Sequence, residues 1–146
     1  MLKKIDHSTA LILSLLTLYL FLASFGYGND NDTYRIIRSG LSIWIDFDYT
    51  SSRFQGNLVP EFIIGALAII GGSYASNILS ALLGIGSLTI LNLIIRKDIP
   101  NFKRFCIISL IGLNPYFIIA STSSMDYIYS IFFILSGFYL LESRSY

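Results

Sequence analysis

The sequence predicts an all-α protein that crosses a membrane about four times, with interfacial helices in its first external loop. Hydrophobic residues make up 54% of the 146 residues and charged residues only 13%, about half the charged share of soluble domains. Several uncharged runs approach the roughly 20 apolar residues that a helix needs to cross the hydrocarbon layer. Basic residues gather at the ends of these runs, as they do beside membrane helices. We therefore expect one integral, multi-pass membrane domain.

The same composition excludes several other classes of protein. A net charge of +1 gives no reason to expect nucleic acid as a partner. The chain has one cysteine, Cys106, and one histidine, His7. It therefore cannot form an intramolecular disulfide framework or a metal site built from several histidines and cysteines.

The first predicted span covers residues 8–26, which carry no charge. Lys3 and Lys4 precede it, so its N-terminus is expected in the cytoplasm. A secretory signal peptide cleaved near Ala23 is the alternative interpretation of this segment. In both cases the chain that follows is exported.

Three further spans are predicted at residues 74–95, 105–121 and 123–141, and the loop 96–104 returns to the cytoplasm. In a prokaryote the membrane would be the plasma membrane. Asn114-Pro115 lies inside the third span and predicts a kink, because proline lacks a backbone donor. This arrangement places seven of the ten basic residues inside: Lys3, Lys4, Arg96, Lys97, Lys103, Arg104 and Arg144.

The external loop, residues 27–73, is expected to hold two helices that lie at the membrane surface. Residues 61–71 are apolar but only about half as long as a span, and Gly71-Gly72 ends the run. Upstream, Tyr34, Ile37, Leu41 and Trp44 recur at steps of three and four, which puts them on one helical face.

Acidic residues concentrate on the predicted exported side of the chain. Asp30 and Asp32 stand at the start of the upstream helix, where aspartate commonly caps a helix, so capping is an alternative to a functional role. The six exported acids are Asp30, Asp32, Asp46, Asp48, Glu61 and Asp126.

Residues 43–49 alternate between apolar and polar side chains, which predicts an extended segment with Asp46 and Asp48 on one side. Such a pair is able to bind a divalent metal beside a phosphate. The alternative is a solvated loop edge. A divalent metal is the one cofactor that this pattern suggests.

Exported arginines suggest recognition of phosphate. Arg53 lies in a short polar segment, and its guanidinium fork matches phosphate geometry. With Arg35 and Arg38 it is expected to form one basic set at the height of the lipid headgroups. Unspecific binding to ordinary headgroups is the alternative.

Several short motifs, taken in order, resemble a known family. The pattern resembles the N-terminal portion of the GT-C superfamily of polytopic glycosyltransferases, nearest to its protein O-mannosyltransferase-like and lipopolysaccharide-core-transferase-like branches. The motifs that carry the resemblance are Asp32-Thr33-Tyr34, Tyr49-Thr50-Ser51-Ser52-Arg53-Phe54-Gln55-Gly56, Pro60-Glu61, and Asn114-Pro115 through Asp126.

The resemblance implies a transfer reaction at the exported face. A sugar would pass from a polyprenyl-phosphate carrier to an acceptor glycan, lipid or protein. By this resemblance Asp32 is the first choice for the catalytic base and Asp30 the second. The implied substrate- or phosphate-binding residues are Arg53 for the lipid phosphate, Asp126 for acceptor or metal, Glu61 to orient Arg53 or the sugar, and Tyr49 and Ser52 within the arginine motif.

Members of this superfamily usually have eight or more spans, so the resemblance also implies that further spans come from a longer chain or from a membrane partner. A truncated chain would be inactive. The alternative function is that of a small non-enzymatic membrane protein whose acidic external loop contacts a partner or a cation.

Overall fold

A computed structural model describes residues 6–28, 30–54 and 57–144, and in these ranges the chain is all-helical with no strand. Lys3 and Lys4, used above for orientation, and Gln55 and Gly56 of the arginine motif lie outside the described residues. A short 3₁₀ turn, Ala23–Phe25, follows the first helix. The six helices are α1 (His7–Leu22), α2 (Asn31–Ile45), α3 (Leu58–Ile95), α4 (Asn101–Gly112), α5 (Pro115–Thr122) and α6 (Tyr127–Arg144).

Two helical segments in the described part of the chain are long and apolar enough to cross a membrane. These are His7–Phe25 and Leu58–Ile95, and α4 with α5 would add a third if this pair, bent by 66°, forms one span. Helix α6 covers most of the predicted fourth span but is not among these segments. The membrane character is therefore compatible with the structure, and a fourth crossing stays a prediction.

Helix α3 is interrupted at a glycine pair. Gly71 has φ −146° and ψ 20°, and Gly72 has φ 61° and ψ −148°. Only glycine adopts the second of these conformations readily, because a Cβ would meet the backbone there. The predicted end of the short helix at this pair is confirmed. Its location at the outer interface stays a prediction.

The predicted kink at Asn114-Pro115 is also confirmed, as a complete break between α4 and α5. The Asn114 side chain accepts hydrogen bonds from the backbone N–H groups of Tyr116 (2.9 Å) and Phe117 (3.4 Å). Pro115 occupies the first turn of α5, where its missing N–H costs nothing. Tyr19 of α1 donates to the Gly112 carbonyl at 2.7 Å, which satisfies a carbonyl left open at the break.

Helices α1, α3 and α4 share one apolar core. It forms where the uncharged faces of α1 and α4 meet the second half of α3. Close contact between such side chains contributes many small dispersion attractions that favour packing of these helices. Its buried members are Ile12, Leu15, Tyr19, Ala81, Leu88 and Ile108.

Helices α2, α3 and α6 share a second core, made of Ile36, Ile37, Ile64, Ile128 and Tyr129. At its edge α2 crosses the first half of α3 through two glycines. A Cβ built on Gly40 would lie 2.8 Å from the Gly65 backbone, and one on Gly65 would lie 2.3 Å from the Gly40 carbonyl oxygen. The two backbones therefore touch, which only glycine permits.

The structure adds one detail to the predicted upstream helix and corrects another. The side of α2 that packs against α3 contains Ile36, Ile37 and Gly40, whereas Tyr34 is half exposed. Contact of the face that contains Tyr34 and Trp44 with the membrane surface stays a prediction. Residues 43–49 are not extended: the helix continues to Ile45, and the chain reverses at Phe47, which has φ 55°.

A buried polar network joins α3 to the ends of α1 and α5. The Asn77 amide donates to the carbonyls of Ala23 (3.1 Å) and Gly26 (2.7 Å). Ser124 donates to the Asn77 side-chain oxygen at 2.8 Å, and its hydroxyl lies 2.6 Å from that of Ser76. This network fixes the segment that leads into α6 and so positions the acidic residue that follows.

Candidate functional site

Three charged side chains from distant parts of the chain meet at one end of the helices. Arg53 Nη2 lies 3.0 Å from Asp32 Oδ2 and 3.4 Å from Asp126 Oδ1. Arg53 Nη1 also donates to Asp126 Oδ2 at 3.5 Å. One guanidinium therefore bridges two carboxylates, and we call Asp32, Arg53 and Asp126 the Arg53 cluster.

Two further residues, Tyr127 and Asn57, contact the Arg53 cluster, and the sequence analysis did not single them out. The Tyr127 hydroxyl donates to Asp32 Oδ2 at 3.5 Å, and its ring centroid lies 4.9 Å from Arg53 Cζ, a cation–π contact. The Asn57 amide donates to Asp126 Oδ2. The only sequence signal for either is adjacency, because Tyr127 follows Asp126 and Asn57 precedes the apolar helix.

Exposure distinguishes the two carboxylates of the Arg53 cluster. The Asp32 side chain is 37% exposed, whereas that of Asp126 is 5% exposed and is held by both Asn57 and Arg53. Asp32 is therefore the carboxylate that a ligand is able to reach, and Asp126 anchors the guanidinium.

Electrostatics keep Arg53 charged. Burial lowers its pKa, but the neighbouring charges and hydrogen bonds of Asp126, Tyr127 and Asp32 raise it above its ordinary value. The cluster thus holds one fixed cation between two acids. When both acids are ionised, the cluster as a whole carries one net negative charge.

Asp30 has a structural role at the start of α2. Its carboxylate accepts the backbone N–H of Asp32 at 2.8 Å, which is a helix cap. The capping alternative raised from the sequence is thus correct for Asp30. Asp32, in the first helical turn, instead directs its side chain to Arg53.

Glu61 lies outside the Arg53 cluster, fully buried where α2, α3 and residues 46–54 meet. It accepts hydrogen bonds from the hydroxyls of Ser39 (2.7 Å) and Ser52 (2.5 Å). The backbone N–H groups of Ser52 (3.3 Å) and Asn57 (3.4 Å) donate to the same carboxylate. All of these groups donate, so the ionised carboxylate is the form that they stabilise.

Tyr49 and Ser52 contact Glu61, and among the described residues neither side chain forms a hydrogen bond with the Arg53 guanidinium. Burial, followed by the hydrogen bond and charge of Glu61, raises the pKa of Tyr49 above its ordinary value. Glu61 does not touch Arg53 either: it holds the neighbouring Ser52 and Asn57. Among the described residues, Tyr49, Ser52 and Glu61 position the segment that carries Arg53 and do not contact its guanidinium.

Asp46 and Asp48 lie elsewhere, in a separate groove along α2 that Arg35 and Arg38 also line. The single basic set predicted from the sequence is therefore divided, because Arg53 faces the two carboxylates of its cluster. In the described part of the chain no three histidine, cysteine or acidic side chains converge to hold a metal ion. The predicted metal pair thus gains no third such ligand there.

An apolar groove of about 660 Å³ opens beside the Arg53 cluster, at the break between α4 and α5. Phe117, Met125 and Ile131 contribute its apolar walls, and Asp30 and Tyr127 stand among its polar residues. Tyr127 lines the groove and also contacts Asp32 and Arg53, so the charged cluster and the apolar groove adjoin.

Comparison with known proteins adds no family assignment. No protein-family model, curated protein or solved structure gives a significant match to this chain.

Proposed function

We propose that this chain is a membrane glycosyltransferase of the GT-C type. It would transfer a sugar from a polyprenyl-phosphate carrier to an acceptor glycan, lipid or protein. The observation that supports this most is the contact between the part-exposed Asp32 carboxylate and Arg53 beside an apolar groove. A polyprenyl-phosphate sugar joins a phosphate to a hydrocarbon chain, and the adjoining features offer a cation for one and apolar walls for the other.

The proposed chemistry assigns one role to each charged group. The acceptor hydroxyl attacks the anomeric carbon while the bond from that carbon to the phosphate oxygen breaks. Asp32 takes the hydroxyl proton as general base. Arg53 stabilises the negative charge of the departing phosphate. Asp126 holds Arg53 in place, and Glu61 holds the loop that carries it.

Binding of the donor would also release the base. A phosphate at Arg53 competes with the two carboxylates for the same N–H donors. Asp126 is buried and has Asn57 as a second donor, whereas Asp32 is nearer the surface. We therefore expect the phosphate to displace Asp32, whose carboxylate is then free to accept a proton.

The proposal includes an orientation. The N-terminus lies in the cytoplasm, the Arg53 cluster faces the exported side, and several helices cross the membrane, which in a prokaryote is the plasma membrane. The bias of basic residues towards the predicted cytoplasmic segments supports this orientation. Further spans would come from a longer chain or a membrane partner.

The test is transfer of a labelled sugar from polyprenyl phosphate by membranes that contain the full protein. We expect Asp32→Asn to reduce the rate at least about 100-fold, the lower end of what a general base contributes. The matched control is Asp98→Asn, an exposed aspartate after the C-terminal end of α3. Retained transfer by Asp32→Asn, at an expression level equal to the wild type, would contradict the role of Asp32.

The Arg53 cluster contains two carboxylates and one guanidinium, and this surplus of acidic groups supports a second candidate function. A non-enzymatic acidic loop that binds a partner or a cation depends on charge more than on the position of one oxygen. Asp32→Glu keeps the charge and moves the carboxylate. If Asp32→Glu abolishes the activity of the protein, the result supports catalysis. If the activity is unchanged, the result supports the binding loop.

A further inference from the structure

A second groove, along α2, combines two cations, two acids and several hydroxyls. It has a volume of about 950 Å³ and lies between α2 and the loop that follows Ile45. Ser42 holds this loop against the helix, because its hydroxyl contacts the Asp48 carbonyl at 3.1 Å and its carbonyl accepts the Asp48 N–H at 3.3 Å. We call this feature the α2 groove.

Among the residues that the structure describes, the cations of the α2 groove form no ion pair. Arg35 and Arg38 are exposed and line the groove three residues apart on one helix, which places their Cβ atoms about 5–6 Å from each other. Neither forms a salt bridge with any residue that the structure describes. Two guanidiniums at this spacing are able to hold one phosphate group between them.

The acids and hydroxyls of the groove suggest the rest of the ligand. Asp46 and Asp48 line the same groove, yet they do not pair with Arg35 or Arg38 in the described ranges. Carboxylates accept hydrogen bonds from ligand hydroxyls, and Thr50 offers a further donor and acceptor. A ligand with an anionic group and several hydroxyls would satisfy both kinds of charge at once.

Apolar side chains beside the α2 groove indicate where this ligand comes from. Ile45, which lines the groove, and Phe47, at the turn of the loop, expose 62% and 92% of their surfaces. Large apolar side chains exposed in this way, next to arginines, are typical of a surface that contacts the headgroup layer and acyl chains of a membrane.

We propose that the α2 groove binds the headgroup of an anionic phospholipid that carries hydroxyls. The phosphate lies between Arg35 and Arg38, and the headgroup hydroxyls reach Asp46 and Asp48. This site is separate from the Arg53 cluster, because Arg53 does not line the groove. It requires no sugar transfer and stands whether or not the proposed function is correct.

The test measures lipid binding to the detergent-solubilised full chain by native mass spectrometry. The probes are phosphatidylglycerol, phosphatidic acid and phosphatidylcholine. We expect Arg35→Gln/Arg38→Gln to weaken binding of phosphatidylglycerol at least tenfold and to leave phosphatidylcholine unchanged. The matched control is Arg96→Gln/Lys103→Gln, which removes two exposed cations, one just after α3 and one in the first turn of α4, and should retain binding.

A second variant separates recognition of hydroxyls from attraction of charge. The wild type should prefer phosphatidylglycerol to phosphatidic acid, and Asp46→Asn/Asp48→Asn should abolish that preference. The proposal is overturned if the arginine variant binds phosphatidylglycerol like the wild type, or if both double-arginine and control variants lose binding equally. It is also overturned if glycerol 3-phosphate binds as tightly as phosphatidylglycerol, since the ligand would then be a soluble phosphate.

Discussion

At the scale of single residues, two buried tyrosines differ in whether their hydroxyls have a partner. The Tyr19 hydroxyl donates to the Gly112 carbonyl at 2.7 Å and so links α1 to the end of α4. The Tyr129 hydroxyl is also buried but has no hydrogen-bond partner within the described structure. An unpaired polar atom in an apolar interior costs free energy, whereas a paired one contributes a little.

This difference predicts opposite effects for the same chemical change. Tyr19→Phe should lower the free energy of unfolding by about 1–3 kcal/mol, because the Gly112 carbonyl loses its donor. Tyr129→Phe should leave stability unchanged or raise it, because no hydrogen bond is lost. Denaturation in detergent micelles, followed by the fluorescence of the single tryptophan, Trp44, measures both. Equal losses in the two variants would contradict the assigned contact.

At the scale of elements, the closest contact is the crossing of α2 and the first half of α3. A Cβ on Gly40 would lie 2.3 Å from the Glu61 carbonyl oxygen, a distance that real structures do not show. Both obstructing groups are backbone, so neither is able to rotate away. The crossing therefore sets how deeply α2 packs, and with it the direction of Asp32 at the start of that helix.

Gly40→Ala should consequently force the two helices apart. We expect a loss of about 1–3 kcal/mol in the free energy of unfolding, the usual cost of overpacking. The control is Gly137→Ala in α6, where a Cβ meets nothing within 4 Å. That change should stabilise the protein by up to about 1 kcal/mol through helix propensity. A neutral Gly40→Ala would show that the helices do not touch here.

At the scale of the whole molecule, Glu61 connects parts that are far apart in the sequence. Its carboxylate accepts hydrogen bonds from Ser39 of α2, from Ser52, the neighbour of Arg53, and from the backbone of Asn57 before α3. Buried polar networks of this kind rigidify a structure when every member is paired. The position of Arg53 between its two carboxylates therefore depends on a residue that Arg53 does not contact.

Glu61→Gln tests this dependence. The new amide group would direct N–H donors at other donors, so we expect a loss of about 1–3 kcal/mol in unfolding free energy. Amide hydrogen exchange at Ser52 should also become faster, because its acceptor is weakened. Glu142→Gln is the control, since Glu142 forms an exposed ion pair with Lys97 whose loss costs at most about 1 kcal/mol. Unchanged exchange at Ser52 would argue against the connection.

Local patterns were sufficient to predict several elements of the fold. Long apolar runs predicted helices that are able to cross a membrane, Gly71-Gly72 predicted an interruption, and Asn114-Pro115 predicted a break. These features depend on backbone chemistry and hydrophobicity within a few residues, so no distant contact is needed to recognise them. The prediction that residues 43–49 are extended was wrong, because α2 continues to Ile45.

The chain alone determined its helical class, its apolar segments and the residues able to do chemistry, because composition and spacing act locally. The tertiary structure decided which of those residues meet. It placed Asp32 and Asp126 on either side of Arg53, and gave Asp30 a capping role. Separations of 21 and 73 residues along the chain are bridged only when α2, α3 and α6 pack. The glycine crossing and the buried Glu61 set that packing, and their effect depends on three-dimensional contacts that no local pattern contains.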